Sequence, residues 1–135
     1  MPGCRRVLPR DRIGMIVLYS TRLLRVLTPW FRGITGITLF PFIILRSELR
    51  GTVESAVTIN HERIHIRQQV ELLLVFFALW YIISFLAGLV RGRGWYGAYR
   101  NIIFEREAFD RMYEMDYLKS RRLFGFLKYW KKRAP

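Results

Sequence analysis

Cysteine is almost absent from this 135-residue chain, which carries Cys4 alone. A single cysteine excludes an internal disulfide framework, and it also excludes a zinc site built from several cysteines. Histidine is nearly as scarce, since His61 and His65 are the only two. Acidic residues are outnumbered 23 to 10 by lysine and arginine, which gives a formal net charge of +13. Any histidine-based metal site in this chain must therefore use these two residues.

The strong positive charge coexists with an apolar composition. Hydrophobic residues make up 52% of the chain and aromatic residues 16%. Basic nucleic-acid-binding proteins seldom carry long uncharged apolar runs, and no RNA- or DNA-binding motif is present. Lysine and arginine beside apolar segments are instead typical of proteins at a lipid surface, where they contact anionic head groups. We therefore expect membrane lipid as a partner and expect no nucleic acid.

The length of the chain fits one domain with a basic extension at each end. Residues 1–30 are predicted to form a basic tail followed by an amphipathic helix over residues 13–27, which Thr28-Pro29 ends. This helix can lie on a membrane or pack on the domain as an ordinary surface helix, and the pattern favours neither. Residues 31–130 are predicted to form a single zincin-like, membrane-associated domain, and residues 131–135 a basic tail.

The β-structure is predicted between Ile34 and Leu45, where β-branched and aromatic residues predominate. Pro41 lies inside this segment, and proline cannot donate a hydrogen bond to the ladder of a central strand. The segment is therefore predicted to be an edge strand or a strand pair bent at Pro41. A polar connector follows over residues 46–55, and a helix is predicted to begin between Val53 and Ala56.

This helix is predicted to continue into a long apolar segment. No charged residue occurs in the 19 positions from Leu72 to Val90, which as a helix span ~28 Å, about the thickness of the hydrocarbon core of a bilayer. A chain of this size can hardly bury such a helix on every side, so we expect it to associate with a membrane. A basic, glycine-rich turn at residues 91–97 leads to a second long helix, predicted from Ala98 to Lys119. The predicted fold class is mainly α with a short β-strand or hairpin.

The two histidines lie four residues apart in the run His61-Glu62-Arg63-Ile64-His65. Residues i and i+4 share a helix face, so both imidazoles can bind one metal ion. Glu62 lies beside that face, where its carboxylate can act as the general base on a metal-bound water. This HExxH pattern is typical of zinc sites, and Zn²⁺ lowers the pKa of a bound water towards neutrality. The alternative is a pair of surface histidines on a charged helix, without a metal ion.

A catalytic zinc ion needs a third protein ligand, with the fourth position left for water. The chain has no further histidine and Cys4 is remote, so this ligand is predicted to be a carboxylate of the second long helix. Glu105 has apolar neighbours on its own face, where a carboxylate needs a cation or loses its charge. Glu107 can instead form an ordinary ion pair with Arg111, four residues on. We therefore prefer Glu105 as the third ligand and keep Glu107 as the alternative.

The motif at residues 61–65, together with Glu105-Arg106-Glu107-Ala108, resembles the gluzincin class of metallopeptidases. That class has HExxH on one helix and a glutamate ligand on a later one. Residues 60–69 and 104–108 are also similar to small uncharacterised membrane proteins from bacteria of the Bacteroidetes type, within a resemblance that covers roughly residues 36–130. The resemblance implies a zinc-dependent metallopeptidase that acts on a peptide or protein at or near a membrane. The bacterial inner membrane is the location it implies.

The gluzincin resemblance also implies a strand, before the active-site helix, that binds peptide substrate at its edge. Residues 38–45 are expected to take this role by β-augmentation. The chain departs from the class in two respects. Asp110 lies five residues after Glu105, where the class often has an aspartate at four, and no tyrosine or histidine is identified as a transition-state stabiliser. A zinc-binding membrane protein without turnover, or a small membrane adaptor, are the alternative functions.

A straight apolar helix is incompatible with a three-ligand site. From His65 to Val90 a helix rises ~38 Å, whereas the stretch from Ala98 to Glu105 returns only ~10 Å. The apolar helix must bend, or residues 91–101 must run back along it in an extended form that covers ~36 Å. An extended stretch cannot face lipid with its backbone polar groups unsatisfied. We therefore predict a bent helix, with the metal site near the membrane interface.

Overall fold

The computed structural model describes residues 14–31 and 33–134, and the basic tail predicted at residues 1–12 lies outside them. The described residues form a mainly helical structure with a small three-stranded sheet, which confirms the coarse fold class. By its internal contacts the chain divides into two compact units, Met1–Ile66 and Arg67–Pro135. The domain boundaries predicted at residues 30 and 130 stay predictions.

The first unit contains the sheet, which consists of β1 (Ile16–Tyr19), β2 (Gly36–Leu39) and β3 (Phe42–Leu45). The strand order is β1-β3-β2, with β1 parallel and β2 antiparallel to β3. The predicted strand pair bent at Pro41 is confirmed, because β2 and β3 pair antiparallel and Pro41 lies in the turn between them. Since β3 is the central strand, the edge role predicted for residues 38–45 is wrong for β3 and applies to β2 alone.

The helix predicted over residues 13–27 is wrong in its first half. The segment Ile16–Tyr19 is a strand because its β-branched and aromatic residues pair with β3, a partner that local periodicity does not reveal. Ser20 then caps α1 (Thr21–Leu27), and its side-chain oxygen accepts a backbone N–H at 3.2 Å. The helix ends where Thr28-Pro29 predicts, and it packs on β3 through one buried leucine, as a surface helix does.

The helix that carries the HExxH motif, α2 (Val53–Glu71), begins where it was predicted. Thr52 precedes it, and the Thr52 hydroxyl accepts the N–H of Ser55 at 3.1 Å, as an N-cap residue does. Within the first unit α2 packs on the sheet. The buried cluster there contains Ile43, Leu45, Ile59 and Ile66, with Met15, Val17 and Tyr19 packed against it.

The motif helix does not continue straight into the apolar segment. It ends at Glu71, and both Leu73 and Leu74 have a positive φ, of 54° and 52°. The next helix, α3 (Val75–Val90), leaves at an angle of 115°. The predicted bend is thus confirmed. Among the described residues, no single helix has both the length and the apolar character needed to cross a bilayer. The bent pair of α2 and α3 meets this criterion, which considers only length and composition.

The second long helix predicted from Ala98 to Lys119 is wrong. Three helices occupy this region, namely α4 (Gly94–Arg100), α5 (Ile103–Arg111) and α6 (Tyr117–Ser120). The break between α4 and α5 lies at Ile102, which takes an extended backbone with ψ of 133° and is itself buried. Local periodicity along residues 98–119 does not reveal this break.

The core of the second unit is largely aromatic. Its buried residues are Phe77, Ile102, Ile103, Phe104, Phe126 and Tyr129, with Leu72, Trp80, Tyr81 and Phe85 packed against them. Phe126 and Tyr129 come from a short 3-10 helix, Gly125–Tyr129. All the residues that α3 contributes to this core lie on one of its faces, so the packing orients α3 about its own axis.

Candidate metal centre

His61 and His65 lie one turn apart on α2, and both are 5% exposed. Their Nε2 atoms are 3.1 Å apart. Two ligands of a tetrahedral zinc ion, each ~2.05 Å from the metal, are separated by ~3.3 Å. The same distance also suits a hydrogen bond between one protonated and one unprotonated ring nitrogen. The two imidazoles therefore have nearly the spacing that a shared metal ion requires.

Glu105 joins the two histidines in one group of potential ligands. Within residues 14–31 and 33–134, one group of three or more histidine, cysteine, aspartate or glutamate side chains can hold a metal ion, and it consists of His61, His65 and Glu105. Their ligand atoms all lie within 4.8 Å of one another, and all three residues are buried. Imidazole nitrogens and a carboxylate oxygen suit several divalent transition metals. The predicted burial of Glu105 is confirmed, and the group can hold a metal ion.

Tyr81 orients the carboxylate of Glu105 within the second unit. The Tyr81 hydroxyl, on the inner face of α3, donates a hydrogen bond to Oε1 of Glu105 at 2.8 Å. Such a bond restricts the rotation of a carboxylate and tunes it as a metal ligand. The sequence prediction missed this residue. A tyrosine inside an uncharged apolar run does, however, indicate a polar partner nearby, because its hydroxyl needs a hydrogen bond when it is buried.

Replacement of Tyr81 by phenylalanine is expected to lower the affinity of the site for a divalent metal ion by about 10- to 100-fold, the usual effect of losing a hydrogen bond to a metal ligand. The ring stays in the core, so the fold is expected to persist. Competition with a chromophoric chelator measures the affinity. Tyr96→Phe is the matched control, because Tyr96 is 72% exposed on α4. An equal affinity for both variants would show that Tyr81 does not support the ligand.

Glu62 is buried in the first unit and is held by the edge strand. The hydroxyl of Thr38, on β2, donates a hydrogen bond to Oε2 of Glu62 and lies 3.4 Å from its backbone oxygen. Two residues earlier, a Cβ built on Gly36 would lie 3.4 Å from Oε1 of Glu62 and 2.5 Å from a methyl carbon of Leu45. Positions 36 and 38 face the same side of the strand. Strand β2 therefore borders the Glu62 carboxylate, a contact between residues too distant in sequence for a local pattern to indicate.

Glu107, the alternative third ligand, is fully buried and already has partners. Its Oε1 accepts hydrogen bonds from Nε of Arg121 at 2.6 Å and from the hydroxyl of Tyr117 at 2.7 Å. Its Oε2 accepts from Nε2 of Gln68 at 2.7 Å and from Nη2 of Arg121 at 3.1 Å. These four bonds use the full accepting capacity of a carboxylate. The pair of Glu107 with Arg111 predicted from the sequence is wrong, because Arg121 takes that place.

The guanidinium of Arg121 bridges two buried carboxylates, those of Glu107 and Glu71. We call Arg121, Glu107, Glu71, Tyr117 and Gln68 the Arg121 cluster. Burial alone would lower the pKa of Arg121, but the hydrogen bonds to Glu107 and Glu71 outweigh it and raise the pKa above its usual value. Burial, followed by the hydrogen bond to Glu107, also raises the pKa of Tyr117, so its hydroxyl stays a donor. The cluster fixes α5 to the end of α2 within the second unit.

No protein-family model, curated protein or solved structure matched the chain when it was compared with each of these groups. The resemblance to gluzincins rests on the motif residues.

Proposed function

We propose that the chain is a zinc-dependent metallopeptidase that acts on a peptide or protein at or near a bacterial inner membrane. One observation carries this proposal. The ligand atoms of His61, His65 and Glu105 lie within 4.8 Å of one another, and Glu62 directly follows the first histidine. Two histidines and a glutamate are the ligands of zinc in well-known metallopeptidases, which keep the fourth position for water. Bound there, Zn²⁺ would act as a Lewis acid and make hydroxide available near neutral pH.

Each side chain of the site has a role in this proposal. His61 and His65 would hold the metal ion, each through an unprotonated ring nitrogen of a neutral imidazole. Glu105 adds a negative charge to the ligand set, in the orientation that its hydrogen bond from Tyr81 favours. Glu62 takes a proton from the attacking water and passes it to the leaving amine. Because Thr38 donates to Oε2 of Glu62, the oxygen beside Gly36, Oε1, is the one that accepts this proton.

Strand β2 supports a peptide as the substrate. Among the described strands it pairs with β3 alone, and the N–H of Arg46 donates to the carbonyl oxygen of Thr35 at 3.0 Å. Bonded and non-bonded pairs alternate along an antiparallel ladder, so the N–H and C=O of Gly36 point away from β3. An extended peptide that pairs with this edge would run beside the Glu62 carboxylate, because the Thr38 side chain contacts it.

The test uses the full chain, purified in mild detergent, with a set of internally quenched peptides. We expect about one zinc ion per chain, the stoichiometry of a single three-ligand site. Chelation is expected to abolish cleavage, and an equimolar amount of Zn²⁺ is expected to restore it. The variant His65→Ala should retain neither zinc nor cleavage, whereas Arg67→Ala, an exposed change on the same helix, should retain both.

Two outcomes would contradict the proposal. A purified wild-type chain that binds no zinc would exclude a zinc site of any kind. A zinc-loaded chain that cleaves no peptide would exclude the peptidase, and it would support a zinc-binding membrane protein without turnover.

A further inference from the structure

The outward face of α3 is apolar along its whole length. It presents Val75, Leu79, Ile82, Ile83, Leu86 and Val90, each more than half exposed. The opposite face packs into the aromatic core of the second unit. A contiguous apolar patch of more than a few hundred Å² on a folded chain marks an interaction site, and six such side chains at helical spacing form a patch of that size. This face is therefore available to a partner.

The surroundings of this face in the second unit carry cations and aromatic rings. Arg91 is exposed directly after α3, and Trp95 and Tyr96 are 56% and 72% exposed on the next helix. At the flank of α3, the ring of Trp130 lies 5.9 Å from that of Trp80, and an exposed run of three cations follows at residues 131–133. Tryptophan and tyrosine beside lysine and arginine are typical of the boundary between lipid head groups and acyl chains.

The acidic side chains of the second unit do not offset the positive charge around the apolar face of α3. Three of them, Glu71, Glu105 and Glu107, accept hydrogen bonds from Arg121 or Tyr81. Of the other three, Asp110 lies near the end of α5 and accepts a hydrogen bond from Tyr129, while Glu114 and Asp116 follow α5 and pair with Arg111 and Lys119. From residue 72 to residue 104 every charged residue is an arginine. An apolar face with these neighbours is complementary to an anionic lipid surface.

The length and packing of α3 favour an orientation in the plane of the bilayer. Its 16 residues span ~24 Å, less than the ~30 Å thickness of the hydrocarbon core. One face is already occupied by the protein core, so only the other can enter lipid. Helices of this kind lie in the interface with the apolar face ~5–10 Å into the boundary between head groups and acyl chains.

We propose that α3 lies in the plane of an anionic bilayer, with its outward face inserted into one leaflet. Trp95, Tyr96 and Trp130 lie at head-group level, and the cations around them contact lipid phosphates. This inference deepens the membrane location in the proposed function, but lipid binding by α3 requires neither the metal ion nor turnover.

Co-sedimentation of the full chain with lipid vesicles tests the proposal. The protein is expected to bind vesicles that contain phosphatidylglycerol at least tenfold more tightly than vesicles of phosphatidylcholine alone. The double variant Leu79→Glu/Ile83→Glu is expected to lose at least tenfold in affinity for the anionic vesicles. The matched control is Val26→Glu/Val53→Glu, which adds the same two negative charges at exposed apolar positions of the first unit. The control is expected to lose less than threefold in affinity for the anionic vesicles.

The zinc content of the α3 variant is expected to stay at the wild-type value, which separates failure of this inference from failure of the metal site. The proposed insertion of α3 would be overturned if both double variants lost the same affinity for anionic vesicles. Equal binding of the wild-type chain to neutral and anionic vesicles would also overturn it. A dimer that only the α3 variant dissociates would show that a second copy covers the face. A spin label on Ile83→Cys, in a Cys4→Ser background, should lie ~5–10 Å below the head groups, whereas a label at the bilayer midplane would show a spanning helix.

Discussion

Replacement of Glu62 by glutamine is expected to lower kcat/KM for peptide cleavage by about 10²- to 10⁴-fold, the usual contribution of a general base. The zinc content is expected to remain at one ion per chain, because the three ligands are unchanged. Glutamine retains the shape of glutamate and can still accept a hydrogen bond from Thr38, but its neutral amide cannot take a proton from water. The loss should therefore appear mainly in kcat. Steady-state kinetics and metal analysis of the same preparation measure both quantities.

Glu54→Gln is the matched control, since it makes the same chemical change at an exposed position in the first turn of α2. It is expected to leave cleavage and zinc content unchanged. If Glu62→Gln removes zinc together with activity, Glu62 supports the structure of the site and is not shown to be the base. If Glu62→Gln cleaves peptide at the wild-type rate, another group takes the proton and the proposed role of Glu62 is wrong.

Replacement of Arg121 by glutamine is expected to destabilise the second unit by about 3–5 kcal/mol, the cost of removing one partner from a buried ion pair. The Arg121 side chain is 2% exposed and is the cation between Glu107 and Glu71, which are 0% and 6% exposed. Without it, two carboxylates share a site with low water access, and their repulsion adds to the loss of hydrogen bonds. Denaturant unfolding of the full chain in mild detergent, followed by circular dichroism, measures the change in the free energy of unfolding.

Arg122→Gln removes the same charge at the next position, where the side chain is exposed. A surface substitution of this kind is expected to change stability by no more than about 0.5 kcal/mol. A similar change for both variants would mean that the Arg121 cluster does not stabilise the fold. Tyr117→Phe is expected to fall between them, because it removes one of the four hydrogen bonds to Glu107 and leaves the ion pair intact.

The sequence alone determined the features that depend on neighbours along the chain. The spacing of His61 and His65 predicts a shared helix face, and α2 carries both, because the geometry of a helix relates residue i to residue i+4 wherever it occurs. The apolar neighbours of Glu105 predicted its burial for the same local reason. Pro41 predicted the bend in the strand pair, since proline cannot take part in a central ladder. A bend in the apolar helix was predicted from chain length, because a straight helix cannot return Glu105 to the histidines, but its position at Leu73 and Leu74 was not.

Only the tertiary structure decided the features that depend on residues distant in sequence. The strand β1 forms because β3, more than 20 residues later, offers it a parallel partner. Arg121 replaced the predicted local partner of Glu107, and Tyr81 reaches Glu105 across 24 residues of chain. The break at Leu73 and Leu74 occurs in a run of leucines with high helix propensity. For β1 and for the partners of Glu107 and Glu105, the energy of a buried contact exceeds a local preference of about a few tenths of a kcal/mol per residue. A pattern read along the chain contains that preference but not the contact.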